Sequence, residues 1–350
     1  MARKLRYQLE NVCYHVVTRI AHREFMFDDE EKGIVIDFVR GVERFTGVKV
    51  LAYVVMSNHL HLLLFIEKPA TLAAWEDAGY FLGYDFDYFK EGDVYKVSKL
   101  NTFTQQEVDE FRRLADLPIL DRYELTHDEL LARMRAMMRP AAFDRLMEQW
   151  AKLRPDELEE EYVRQCFRMY GLSVFMKILK QNISQYYNAR HKHHKHAGAM
   201  WEGRFKDSIL ERSIDAMSSV STYINLNSWC AEMVANPADY KWGSWRAALE
   251  GDETRRAGYN FIYDISSQWE TVAEVHRQQL EHRMAKDTAE QAEKEEAVFT
   301  SGTIIGTESF IRKIVTREEE AFTTGHKTPP VDFGVGGVTL KTLRNIGILR

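Results

Sequence analysis

A β-rich stretch at 12–20, an amphipathic helical stretch at 29–45 running into two apolar stretches at 48–56 and 59–66, and a core-like helix with a short strand at 173–210 together predict an α+β fold. With the segment between them set aside, the order is β-α-β-β-α-β followed by a further helix. That order is ferredoxin-like: an antiparallel sheet with helices on one face.

Each element has a local reason. In VCYHVVTRI (12–20), Val12, Tyr14, Val16 and Thr18 share one strand face, and Cys13, His15 and Val17 share the other. Ile34, Val35, Phe38, Val39, Val42 and Phe45 recur at helical spacing, Asp28 is available as N-cap, and Gly47 stops the helix. VKVLAYVVM (48–56) is nearly all apolar, as in a strand covered on both faces. Ser57-Asn58 turns the chain, and HLHLLLFI (59–66) returns as a strand. Residues 69–170 are richer in acids, with helices expected at 105–116, 126–138 and 140–153 between Pro118, Pro140 and Pro155. A stripe of Phe175, Ile178, Leu179, Ile183, Tyr186 and Tyr187 predicts a helix over 173–190, with a strand near 204–210 after it. Ser213 caps a helix expected to reach about Val234. Residues 270–296 predict a charged helix, polar on most faces; a helix follows near 307–323, then a Gly/Pro-rich loop and a last helix from Thr339. The organisation expected is a core of 1–68 and 171–250, a helical insertion over 69–170, and a mostly helical C-terminal extension over 251–350.

Composition narrows the function classes. The 350 residues are 45% hydrophobic and 29% charged, which excludes a wholly disordered or collagen-like chain. Cys13, Cys166 and Cys230 lie far apart, without the pairing of a disulfide framework or the spacing of a zinc knuckle, so a reducing, cytoplasmic setting is expected. No apolar run reaches membrane-spanning length, and no membrane association is expected. The net charge of −6 conceals a basic region: residues 177–206 hold seven Lys/Arg and four His against one acid. A nucleic-acid surface confined to that region fits this pattern.

Two groups of residues carry chemistry. His59 and His61 flank Leu60, so on a strand both imidazoles share a face and form half of a site for a divalent cation. Such a pair also occurs with one ring simply bonded to a backbone carbonyl. Tyr223 and Asn227, four apart, stack on one helical face with Val220 and Ile224, where a phenol and an amide need polar partners. Taken alone, that pair reads rather as a buried Tyr bonded to a carbonyl and an Asn capping a loop. His15 shares its face with Cys13 and Val17 and reads as a structural histidine, while the run HKHHKH (191–196) has no regular ligand spacing and reads as a basic loop.

Taken together, the stretches YHVVTR (14–19), VLAYVVMSNHLHLLLFI (50–66), SQYYNARHKHHKHAGAMWEGRFKDSIL (184–210), TYINLNSW (222–229) and YKWGSWRA (240–247) resemble the single-tyrosine HUH transposases of the IS200/IS605 type, most closely the REP-associated tyrosine transposases. The resemblance implies that His59 and His61 are metal ligands, that Asn227 is the third ligand, and that Tyr223 is the nucleophile. Ser228 stands where the family usually has proline, and RIAHRE (19–24) replaces its common Arg-Gly-Asn.

The implied activity is cleavage and transfer of single-stranded or hairpin DNA through a 5′-phosphotyrosine, with Mg²⁺ or Mn²⁺ as cofactor. Lys177, Lys180, Arg190, Lys192, Lys195, Arg204 and Lys206 would neutralise phosphates, and Tyr187 and Trp201 would stack on unpaired bases. A rival reading is a domesticated regulator that holds palindromic DNA with its chemistry lost; the presence together of His59, His61, Tyr223 and Asn227 argues against it. An HxH metallohydrolase would need an Asp and a further His that the pattern does not offer. No Walker-type phosphate loop is present. Either a monomer or a homodimer is compatible with the pattern.

Overall fold

A computed structural model describes residues 12–69, 120, 123–166, 168–191, 199–265, 268–286, 299, 304–321, 330–332 and 338–340. The chain divides into two compact units, one of residues 1–39, 49–66 and 179–350, the other of residues 40–48 and 67–178.

In the first unit, β1 (Cys13–Arg19), β2 (Lys49–Val55), β3 (His59–Phe65) and β4 (Lys206–Leu210) form an antiparallel sheet in the order β2-β3-β1-β4. Helix α1 (Asp29–Thr46) connects β1 to β2, and the helix Leu172–Arg190 (α5 below) precedes β4. This is the split order expected. Three further strands extend the sheet: β5 (Ile304–Gly306) pairs parallel to β4, then β7 (Val338–Leu340) and β6 (Pro330–Asp332) follow antiparallel. The C-terminal residues therefore contribute strands as well as helices. Thr339, expected to begin a helix, lies in β7, where β-branched Val338 and Thr339 suit a pleated backbone opposite Ile305 and Gly306.

The second unit carries α2 (His127–Met137), α3 (Pro140–Trp150) and α4 (Pro155–Cys166). Thr126 and Glu129 make a reciprocal capping box at the start of α2, and Pro140 opens α3. The helix expected at 105–116 lies outside the described residues. Helix α5 (Leu172–Arg190) links the two units along the sequence. At the end of α1, Gly47 adopts φ +70°, and a Cβ there would lie 2.5 Å from the Tyr170 ring, so only glycine closes this helix without displacing the aromatic.

One face of the sheet, with Cys13, Leu63, Phe65 and Leu210, packs on α6 (Ile214–Cys230), α7 (Ser244–Leu249), α8 (Glu253–Tyr263) and α9 (Trp269–Lys286) in a single buried cluster. The edge strand β2 is closed by the segment 240–244. Val55 N–H donates to the Trp242 carbonyl at 3.0 Å, Tyr53 N–H to Ser244 Oγ at 2.9 Å, and Tyr240 Oη to the Val55 carbonyl at 2.8 Å. Edge groups left open would invite pairing with another chain. Helix α8 lies so close to β2 that a Cβ on Gly258 would meet the Leu51 carbonyl oxygen at 2.5 Å.

Helix α9, expected to be polar on most faces, buries one narrow face. Val272, His276 and Leu280, four apart, are at most 3% exposed and face α6 and α8. His276 Nδ1 donates to Tyr263 Oη (2.7 Å), which itself donates to Gln279 (2.8 Å). Asn225 Nδ2 approaches His276 Nε2 at 3.0 Å and Tyr259 Oη at 2.8 Å, and Tyr259 Oη meets Ser244 Oγ at 3.1 Å. A buried polar network thus pins α6, which carries Tyr223 and Asn227, to α7, α8 and α9.

Two outcomes follow from this packing. Gly258→Ala forces α8 off β2 and should destabilise the protein by about 1–3 kcal/mol in urea unfolding. Burial holds the His276 pKa at about 3 against 6.5 in the unfolded chain. Below pH 6.5 the unfolded state therefore binds a proton that the folded state refuses, and stability declines as pH falls from 6.5 towards 3. His276→Gln should remove about 1.4 kcal/mol per pH unit from that slope, read from urea midpoints at a series of pH values.

Candidate active site

The strand register brings three imidazoles together. Val17 pairs with His61, Arg19 with His59, and His15 with both Leu63 on β3 and Ser208 on β4. His15, on the same face, is therefore the diagonal neighbour of His61, within reach across an antiparallel pair. The ring centroids of His15 and His61 are 5.2 Å apart and nearly parallel, and those of His59 and His61 are 5.0 Å apart.

Hydrogen bonds assign the nitrogens of these rings. The Phe299 carbonyl can only accept, so His15 Nδ1, at 2.7 Å from it, carries the hydrogen. Burial pushes the His15 pKa down to about 4, so the ring is neutral and its Nε2 accepts. His61 Nδ1, 3.0 Å away, must then be the donor. The remaining nitrogen, His61 Nε2, is buried, carries a lone pair and has no hydrogen-bond partner. His61 is itself held well below the ordinary imidazole value, chiefly by burial and then by the neighbouring His59. His59 is pushed down to about 4 by burial and by the cations of Arg19 and Arg23. Its Nδ1 faces Asn58 Oδ1 at 2.6 Å, and Asn58 Nδ2 in turn donates to the Arg23 carbonyl at 2.9 Å. That orients the amide so that His59 Nδ1 donates and His59 Nε2 keeps its lone pair.

Helix α6 brings the second group. Ser213 caps it as expected, accepting from Ala216 N–H, although the helix ends at Cys230, short of Val234. Tyr223, 8% exposed, sets its ring edge-on to His15 at 5.7 Å and to His61 at 5.6 Å. The Phe299 ring lies 4.9 Å from it. One turn on, Asn227 Nδ2 donates to the Tyr223 carbonyl at 2.8 Å and to Ile224 at 3.3 Å, leaving Oδ1 as the acceptor, and the amide is within hydrogen-bond reach of His59. His59, His61, Tyr223 and Asn227 are thus brought together.

This arrangement fits a divalent cation. Two imidazole lone pairs and an amide oxygen, all neutral, have their other polar atoms already engaged, and one of the lone pairs is buried without a partner. Leaving such an atom unsatisfied costs about 1–3 kcal/mol. Among the described residues no group of three His, Cys, Asp or Glu side chains is placed to hold a metal ion; the Asn227 amide oxygen is a donor of a type that suits a hard ion such as Mg²⁺ or Mn²⁺.

The predicted DNA contacts are placed less uniformly. Lys177, Arg204 and Lys206 are exposed. Lys180 Nζ donates to the Gly203 carbonyl at 2.6 Å and lies 5.2 Å over the Trp201 ring, while Trp201 Nε1 donates to Ser184 Oγ at 2.8 Å. Arg190 is bound to Glu30 and Asp28 at the start of α1, and the neighbouring His191 to Glu31. Tyr187 is 9% exposed and stacked on His191 with centroids 4.2 Å apart, which leaves little ring face for a base. Lys192 and Lys195 lie outside the described residues.

An open aromatic that the sequence analysis did not single out is Phe25, 83% exposed, the most exposed large hydrophobic residue among those described. It follows His22 and Arg23, both left-handed at φ 58° and 59°, a conformation costing a non-glycine residue about 1–2 kcal/mol. The loop is pinned beside the histidines: Ile20 N–H donates to the Asn58 carbonyl at 2.8 Å and Phe27 N–H to Ser57 at 2.9 Å. An aromatic just after RIAHRE was the available signal. His15 was visible as a same-face neighbour, but its bond to His61 depends on strand register; Phe299, far along the chain, gave no signal.

Residues 8–74 match the sequence profile of the family described as "Transposase IS200 like". Over this segment the chain is similar to IS200-like transposases. The segment spans β1, α1, β2 and β3, and so includes His15, His59 and His61; Tyr223 and Asn227 lie outside it. No curated protein matches the chain. A solved structure described as a REP-associated tyrosine transposase bound to a REP hairpin aligns over 72% of this chain and 87% of that chain, at 9% identity and a TM-score of 0.35. Among the described residues no helix is long and apolar enough to cross a membrane.

Proposed function

We propose that the protein cleaves and rejoins single-stranded or hairpin DNA through a covalent 5′-phosphotyrosine on Tyr223. The observation that carries this reading is the buried, partnerless Nε2 of His61 beside Tyr223, with Asn227 and His59 next to it. His59, His61 and Asn227 would hold Mg²⁺ or Mn²⁺, which when bound polarises a phosphate oxygen and offsets charge developing in the transition state.

The chain's own groups supply the rest. Tyr223 attacks phosphorus in line, its Oη–P bond forming as the P–O3′ bond breaks. The phenol proton is lost, and the departing 3′ oxygen leaves as a hydroxyl after taking up a proton. Neither nucleotide hydrolysis nor a redox partner is needed, and the reverse reaction joins the retained 5′ phosphate to another 3′-OH. His59 and His61, held neutral by burial, remain available as lone-pair donors at neutral pH. Arg19 and Arg23, whose charges already bear on His59, attract the phosphate backbone. Lys177, Arg204 and Lys206 add exposed positive charge, and Phe25 offers an open ring to an unpaired base.

Incubation with a hairpin labelled 3′ of the cleaved bond and Mn²⁺ should give a denaturant-resistant protein–DNA adduct. Tyr223→Phe should abolish the adduct while retaining the fold and DNA binding, and His61→Ala should lose cleavage while still binding DNA. An adduct that survives in Tyr223→Phe, or cleavage undiminished in EDTA, would count against the reading. Phe25→Ala should weaken binding of a single-stranded oligonucleotide by about 1–3 kcal/mol in a fluorescence-anisotropy titration and leave blunt duplex binding nearly unchanged.

A further inference from the structure

Building on the metal-site reading, we propose that His15 is a positioning residue that couples the docked Phe299 carbonyl to His61 and fixes His61 as the tautomer with a free Nε2. The geometry is directional. Phe299 is 2% exposed, and its carbonyl oxygen receives His15 Nδ1 at 2.7 Å and Ser208 Oγ at 2.9 Å. His15 and Ser208 are direct partners in the β1–β4 register, so two adjacent strands clamp one backbone oxygen. The carbonyl has no hydrogen to give, so it dictates which nitrogen of His15 is protonated. The opposite nitrogen then dictates the same for His61 across 3.0 Å. The chain of bonds ends on the one atom of this series that lacks a partner. Both bonds of His15 are to buried groups, and the second sets the lone pair of a candidate ligand, the usual way an outer imidazole or carbonyl orients a metal-binding histidine. The metal-binding face of the sheet is therefore completed by a residue outside the IS200-like segment.

The test uses the full chain labelled with ¹⁵N in its histidine rings, read by long-range ¹H–¹⁵N correlation without metal and by calorimetric titration with Mn²⁺. In the wild type, His61 should be protonated at Nδ1, with Nε2 in the unprotonated, pyridine-like range. His15→Leu should scramble that tautomer and weaken Mn²⁺ binding about 10–100-fold. His15→Gln places an amide N–H towards Phe299 and an amide oxygen towards His61, and should restore the Nδ1–H form and most of the affinity. A wild-type spectrum with His61 protonated at Nε2 overturns the proposal without any variant, as does a tautomer unchanged in His15→Leu. If His15 sets the tautomer as described but the wild type binds no Mn²⁺, the coupling stands and the metal-site reading falls.

Discussion

Three imidazoles are packed into the covered face of an antiparallel sheet, and burial holds all of them neutral. A charged imidazole there would face desolvation, with the cations of Arg19 and Arg23 adding repulsion at His59. Neutrality leaves each ring one donor and one acceptor, so every partner has to agree in direction. The Phe299 carbonyl, the Asn58 amide and the register of β1 against β3 meet that demand, and the lone pair left over on His61 is where the chemistry is proposed to occur. The remainder of the first unit can be understood as holding α6 and the residue-299 segment against this face.

Helix α6 illustrates how closely the two demands are set. Asn225 and Asn227 are two residues apart and so point to different sides of the helix. Asn225 is absorbed into the buried network with His276 and Tyr259, which anchors the helix, whereas Asn227 reaches His59. The same residue type is structural at one position and a candidate ligand at the other. A similar division separates the aromatics around the loop after β1: Trp201 and Tyr187 are used in packing, and Phe25 is left outside.

Much of this was legible in the sequence where a local pattern carried it. The alternation in 12–20, the helical stripe of 29–45 and the apolar runs at 48–66 gave β1, α1, β2 and β3 to within a residue or two, and the i, i+4 spacing placed Tyr223 and Asn227 on one face. Other features depend on partners remote in sequence. The buried stripe of α9 is only three residues in a charged helix, and it becomes recognisable only once α6 and α8 supply Asn225 and Tyr263. Thr339 pairs as a strand because Ile305 lies opposite, something no local window contains. Arg190 looked like a phosphate contact because its neighbours are basic, yet the acids that bind it lie at the start of α1, some 160 positions earlier.

The distance along the chain between the parts of the site also has a consequence in time. His59 and Phe299 are 299 − 59 = 240 positions apart. At about 5–20 residues per second, a ribosome needs roughly 12–50 s to travel from one to the other. Throughout that interval β1 can already be paired with β3, but His15 has no carbonyl to bond, and the Tyr223 ring, once made, lacks its aromatic cover. A nascent chain on a translating message therefore does not present the finished pocket to nearby nucleic acid, and the site matures only once the segment around residue 299 has been made.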